Sequence, residues 1–162
     1  MNISHILAGV ILTGTAAALA VPDASLTGPA RVIDGDTLEI NHQRIRLWGI
    51  DAPERHQTCS SNNNTEYACG LTATAFMQKM VQDVIVICLE KARDRYSRIV
   101  AKCSTVDGDL GLRMVANGHT VDYTQYSHGA YKDAEDAART ERLGIWAGTF
   151  TRPDQYRRDH RH

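Results

Sequence analysis

Apolar and polar positions alternate in residues 29–33, 37–41 and 43–50, with breaks at Asp34-Gly35 and at the Asn41-His42 tip. That period of two predicts a meander of short strands joined by tight turns. From Tyr67 to Val81 the period lengthens, and Ala73, Phe76, Met77, Met80 and Val81 fall at helical spacing. Val84 to Leu89 is a continuous apolar run, answered across KARDRYSR by Ile99 to Cys103, which predicts a second hairpin. Leu110 to Asn117 reads as a helix with Asp109 as N-cap and Gly118 as its stop. Tyr131 to Leu143 reads as another, with Ala134, Ala137 and Ala138 turned inward and Gly144 past its end. About five strands and three helices predict an α+β, mainly β, chain built on a small closed barrel of the OB-fold type.

Ahead of this pattern, residues Ile6 to Val21 are apolar and free of acids and bases, and Ala18 and Ala20 stand in an A-x-A arrangement. The stretch has the form of a secretory signal peptide and is shorter than the ~20 residues that span a bilayer. Because only the amino terminus and His5 make up a positive n-region, an uncleaved membrane anchor is the alternative. The chain therefore divides into a signal peptide at 1–20, one domain at 21–149 and a flexible tail of mixed charge at 150–162. Export to the periplasm or the medium is the expected localisation.

Composition narrows the function. In 162 residues with 43% hydrophobic content, one compact domain with its own core is expected. Lys plus Arg is 18 and Asp plus Glu is 19, so no whole-protein field attracts a polyanion, and any nucleic-acid contact must come from local clusters. Cys59, Cys69, Cys88 and Cys103 are even in number and can pair in three ways in an oxidising compartment. They form no C-x-x-C and have no His at finger spacing, which argues against zinc. Cys59 and Cys69 flank a polar loop, and Cys88 and Cys103 lie symmetrically about a turn, so the local pairings Cys59 with Cys69 and Cys88 with Cys103 are favoured.

The charged residues collect in three short segments. IDGDT at 33–37 supplies Asp34 and Asp36, RLWGIDAPE at 46–54 supplies Arg46, Asp51 and Glu54, and DRYSR at 94–98 supplies Arg95, Tyr96 and Arg98. Each alone has a local explanation as a turn, a strand end or a solvated hairpin tip. VDGDL at 106–110 illustrates it: the same Asp-Gly-Asp letters stand there with no acid or Arg cluster after them. Together the three segments suit phosphodiester hydrolysis. Carboxylates without His make an all-oxygen site for a hard cation such as Ca²⁺ or Mg²⁺, while arginine forks match the equatorial oxygens of a five-coordinate phosphorus. An EF-hand is excluded, because the twelfth position counted from Asp34 is Ile45. Arg46 and Asp51, five apart, can converge only if the strand ends or bulges between them, for which Gly49 is the natural place.

The order IDGDT, RLWGIDAPE, DRYSR and then AEDAARTERLGIW, ending at Trp146, resembles the thermonuclease family typified by staphylococcal nuclease, over roughly residues 28 to 146. The resemblance implies a five-stranded OB-fold barrel with three helices and a Ca²⁺-dependent nuclease that acts on DNA and RNA and leaves 3′-phosphates. Carried over by position, Asp36 and Asp51 resemble the Ca²⁺ carboxylate ligands, and Ala52 the residue that gives a backbone carbonyl. Glu54 resembles the general base or water-orienting acid, and Arg46 and Arg98 the transition-state arginines. Arg95 and Tyr96 match contacts to the terminal phosphate, and Tyr123 and Tyr126 resemble tyrosines near the nucleotide. The implied protein is a monomer without a stable protein partner that favours single-stranded or frayed substrate. The chain departs from the family's best-known member in having Ala52 for Thr, Ser97 for a turn Gly, a shorter first hairpin and four cysteines. A non-catalytic OB module that binds single strands is the alternative, though such a module has no need of the metal acids.

Overall fold

The computed structural model describes residues 25–160, so the signal-peptide expectation for residues 1–20 lies outside the described residues. In chain order the elements are β1 (Ser25–Pro29), β2 (Arg31–Val32), β3 (Thr37–Ile40), β4 (Gln43–Leu47), β5 (Ile50–Asp51), β6 (Cys59–Ser60) and β7 (Glu66–Tyr67). Then come α1 (Cys69–Val81), β8 (Ile85–Arg93), β9 (Ile99–Thr105), β10 (Gly108–Asp109), α2 (Leu110–Ala116), β11 (Val121–Asp122), α3 (Thr124–Ser127), α4 (Lys132–Thr140) and α5 (Pro153–Asp159).

The main sheet runs β1-β8-β9-β4-β3-β2, with β10 added to β9. Its pairings are antiparallel except at one seam, where β4 and β9 run parallel and Arg46 faces Val100. This curled sheet packed with helices is the expected α+β OB-type architecture. Alternation along the strands builds its interior: Leu38, Ile40, Ile45, Leu47, Val86, Ile99 and Ala101 are buried and meet Ala73, Met77 and Met80 of α1 and Leu110, Met114 and Val115 of α2. The apolar run at 84–89 divides by the same rule, since Val86 and Cys88 turn inward while Ile85, Ile87 and Leu89 stay exposed. Asp109 caps α2 as expected, accepting the Leu112 N–H at 3.1 Å.

Both local disulfides are present. Cys88 and Cys103 stand opposite each other across β8 and β9, and Cys59–Cys69 closes the loop between β5 and α1. Three readings of the sequence need correction. In α4 Ala137 is exposed and Glu135 is buried instead, because its Oε2 accepts the Asp122 N–H at 2.5 Å and its Oε1 takes Arg139 at 2.7 Å. Five α-helices, rather than three, occur among the described residues. The segment read as a tail contains α5, which starts on Pro153 with Asp154 in its first turn and Arg157 and Arg158 in its last.

Candidate active site

The site begins where β4 ends. Thr37 of β3 pairs with Arg46 of β4, so the Arg46 side chain stands beside Asp36, just before β3. Arg46 donates from Nη1 to Oδ1 of Asp36 at 2.8 Å and from Nη2 to Oδ1 of Asp51 at 2.7 Å. That convergence requires the break expected between them. The strand stops at Leu47, Gly49 takes φ +76°, and β5 resumes at Ile50 in pairing with β11. A side chain at that left-handed position would be strained.

Asp36 is buried and fully engaged. Its Oδ2 accepts the Ala52 N–H at 2.9 Å, and its Oδ1 also takes the Thr37 hydroxyl at 3.1 Å. Asp34 lies next to it, accepting the Asp36 N–H at 3.0 Å, and burial together with the neighbouring Asp36 charge pushes its carboxyl up to about 6.

Glu54 is placed by the turn that follows Pro53. Gln57, fully buried, accepts the Glu54 N–H on Oε1 at 3.1 Å, donates its own N–H to the Glu54 carbonyl at 2.7 Å, and donates Nε2–H to the Thr151 carbonyl at 2.7 Å. Gly70 of α1 lies against the same turn, so closely that an added Cβ would stand 1.9 Å from the Glu54 carbonyl oxygen.

The second hairpin supplies the remaining groups. Asp94 organises its tip by accepting the N–H of Tyr96 and of Arg98, each at 2.9 Å, and its Oδ2 holds Arg98 Nε at 2.6 Å. Arg95 lies 4.8 Å over the exposed Tyr96 ring, and Tyr123 and Tyr126 pack with ring centroids 5.1 Å apart. Nine of the ten residues to which the resemblance gives a role line one open cavity of about 1110 Å³: Asp36, Arg46, Ala52, Glu54, Arg95, Tyr96, Arg98, Tyr123 and Tyr126. The tenth, Asp51, is buried directly beneath it.

Two residues escaped the sequence reading. Gln57 has no charge to mark it, and its partner is 94 positions away. Arg157 of α5 reaches into the cavity and forks onto Asp51, Nη1 to Oδ1 at 3.0 Å and Nη2 to Oδ2 at 2.8 Å, while Nη1 also meets Oε1 of Glu54 at 2.9 Å. Pro at the helix start, an acid in the first turn and arginines in the last were the signals that could have revealed α5.

Among the described residues, no three His, Cys, Asp or Glu side chains form a ready-made metal cage. Asp36 and Asp51 nevertheless meet at Arg46, so two carboxylates stand together beside a cavity whose lining holds no His or Cys. That chemistry fits a hard divalent cation whose remaining coordination comes from water and phosphate.

Comparison with known proteins agrees with the geometry. The model of the family "Staphylococcal nuclease homologue" matches residues 44–148. A succinoglycan biosynthesis protein, ExoI, of Rhizobium meliloti (strain 1021) is 36% identical over 147 residues, covering 90% of this chain and 75% of that one. An uncharacterized endonuclease of Haemophilus influenzae is 28% identical over 165 residues, covering 98% of this chain and 87% of its own length. One of Escherichia coli is 33% identical over 123 residues, covering 72% and 74%. With its motifs gathered at one cavity and this match over residues 44–148, the chain belongs to the staphylococcal nuclease family.

Proposed function

We propose that this nuclease-family protein is an exported, calcium-dependent hydrolase of phosphodiester bonds in DNA and RNA that leaves 3′-phosphates. The observation that carries the reading is the convergence of Asp36, Ala52, Glu54, Arg46 and Arg98 on one cavity, with Asp51 beneath its floor. Asp36, Asp51 and the Ala52 carbonyl would hold Ca²⁺, which when bound polarises the phosphate and lowers the pKa of a coordinated water.

Glu54, half exposed at the cavity, accepts the proton of the attacking water. Arg46 and Arg98 donate forked hydrogen bonds to the phosphoryl oxygens as charge builds on them. Arg95 binds a flanking phosphate, and the rings of Tyr96, Tyr123 and Tyr126 offer stacking surfaces that favour unpaired bases, hence single-stranded or frayed substrate. The two disulfides support an oxidising destination outside the cytoplasm.

The purified protein, incubated with single-stranded and duplex DNA and with RNA in Ca²⁺ and then in chelator, tests the reading. Expected is cleavage that stops on chelation, with product ends that accept no label until their 3′-phosphates are removed. Binding without cleavage in Ca²⁺ would leave a non-catalytic OB module instead.

A further inference from the structure

The α5 helix lies beyond residues 44–148, the span of the family match, and yet it contributes the cation nearest to Asp51 and Glu54 together. The Asp51 side chain is 1% exposed and both its oxygens are taken: Oδ1 by Arg46 and Arg157, Oδ2 by Arg157. A guanidinium and a hard cation need the same carboxylate lone pairs and carry the same sign of charge. Arg157 therefore stands where a divalent ion bound to Asp51 has to be accommodated, and it holds Glu54 at the same time.

The attachment of α5 is uneven. Its entry is anchored: Thr151 accepts from Gln57 at 2.7 Å, Arg152 donates to the Asp122 carbonyl at 3.3 Å, and Pro153 is buried. Beyond that point no side chain of α5 belongs to either apolar cluster. Arg158 bonds Asp154 and Gln155, and Gln155 bonds Asp159, all within the helix. The Arg157 bonds to Asp51 and Glu54 thus fasten the helix body to the sheet, while half-buried Tyr156 stacks on His160 of the same segment.

We propose that α5 is a tethered gate in which Arg157 competes with the divalent cation for Asp51 and is displaced when the cation binds, so that the helix sets the cation concentration at which the site becomes competent. The gate rests on the cation reading given above, and the test separates the two. Calorimetric Ca²⁺ titration of the full chain is compared with that of Arg157→Ala and Arg157→Gln. Removing the competing guanidinium should tighten Ca²⁺ binding by about tenfold, the scale of one charge-assisted contact. In the unsubstituted chain, amide hydrogen exchange across residues 153–160 should speed up on adding Ca²⁺. Equal or weaker Ca²⁺ binding by the variants, or exchange that is unchanged or slowed, overturns the gate and leaves the cation site standing. No Ca²⁺ binding by any of the three proteins overturns the cation site, and the gate with it.

Discussion

The Ala52 amide donates to Oδ2 of Asp36 at 2.9 Å, across 16 residues of sequence. This bond fixes the Ala52 peptide beside the carboxylate with which its carbonyl is proposed to share an ion. It also makes Asp36 a structural residue. Asp36→Ala should abolish Ca²⁺ binding in calorimetry. It should also cost about 1–3 kcal/mol in urea denaturation, because it orphans a buried N–H.

Arg46→Lys and Arg98→Lys keep the charge and lose the fork. Each should lower turnover by about 10² or more, as removal of one preorganised donor does. Initial cleavage rates on a defined oligonucleotide check this, and near-normal rates would show that only the charge matters.

Glu54→Gln retains the length of the side chain and removes its basicity. Turnover should fall by ~10² to 10⁴ while calorimetric Ca²⁺ affinity stays close to normal. A variant that cleaves at full rate would assign water activation to another group.

Gly70→Ala approaches the same residue through the backbone, since the new Cβ must push away the Glu54 carbonyl. Loss of turnover together with a lower urea midpoint is expected, from strain that overpacking sets at about 1–3 kcal/mol. Unchanged values of both would show that the turn yields freely.

His119 stacks on Phe76 with ring centroids 4.2 Å apart, and burial lowers its pKa from the ordinary value near 6.5. The folded state therefore resists protonation more than the unfolded chain does. Its contribution to stability is present above about pH 6.5 and is lost as the pH falls toward and through the folded value. Urea midpoints measured between pH 7.5 and 5 should decline, and His119→Phe should flatten that part of the decline.

Much of this arrangement was legible in the sequence because it is local. Alternation placed Leu38, Ile40, Ile45 and Leu47 inside, and Gly49 marked the break that brings Asp51 back toward Arg46. The cysteine pairs were readable because each closes a short loop, of separation 10 and 15. What stayed hidden depends on partners far along the chain. Arg157 meets Asp51 across 106 positions, and nothing in RRD distinguishes an arginine aimed into a cavity from one in water. Glu135 likewise reads as a solvent-facing residue of α4 until the Asp122 amide is seen to need an acceptor.

The parallel seam between β4 and β9 gives the chemistry a place in time. Arg46 belongs to one hairpin, Arg98 leads into the second strand of another, and each hairpin can form from neighbouring sequence alone. Only when Ile45, Arg46 and Leu47 dock beside Ile99, Val100 and Ala101 do the two guanidinium groups come to border one space. Such non-local pairing carries the larger loop-closure cost and is the slower event. During refolding, cleavage activity should therefore return with this docking and lag behind the recovery of far-ultraviolet circular dichroism. Activity that recovered ahead of the dichroism signal would contradict that order. A chain that has completed only one of the two hairpins holds only one of the two guanidinium groups in place and should not yet cleave nucleic acid.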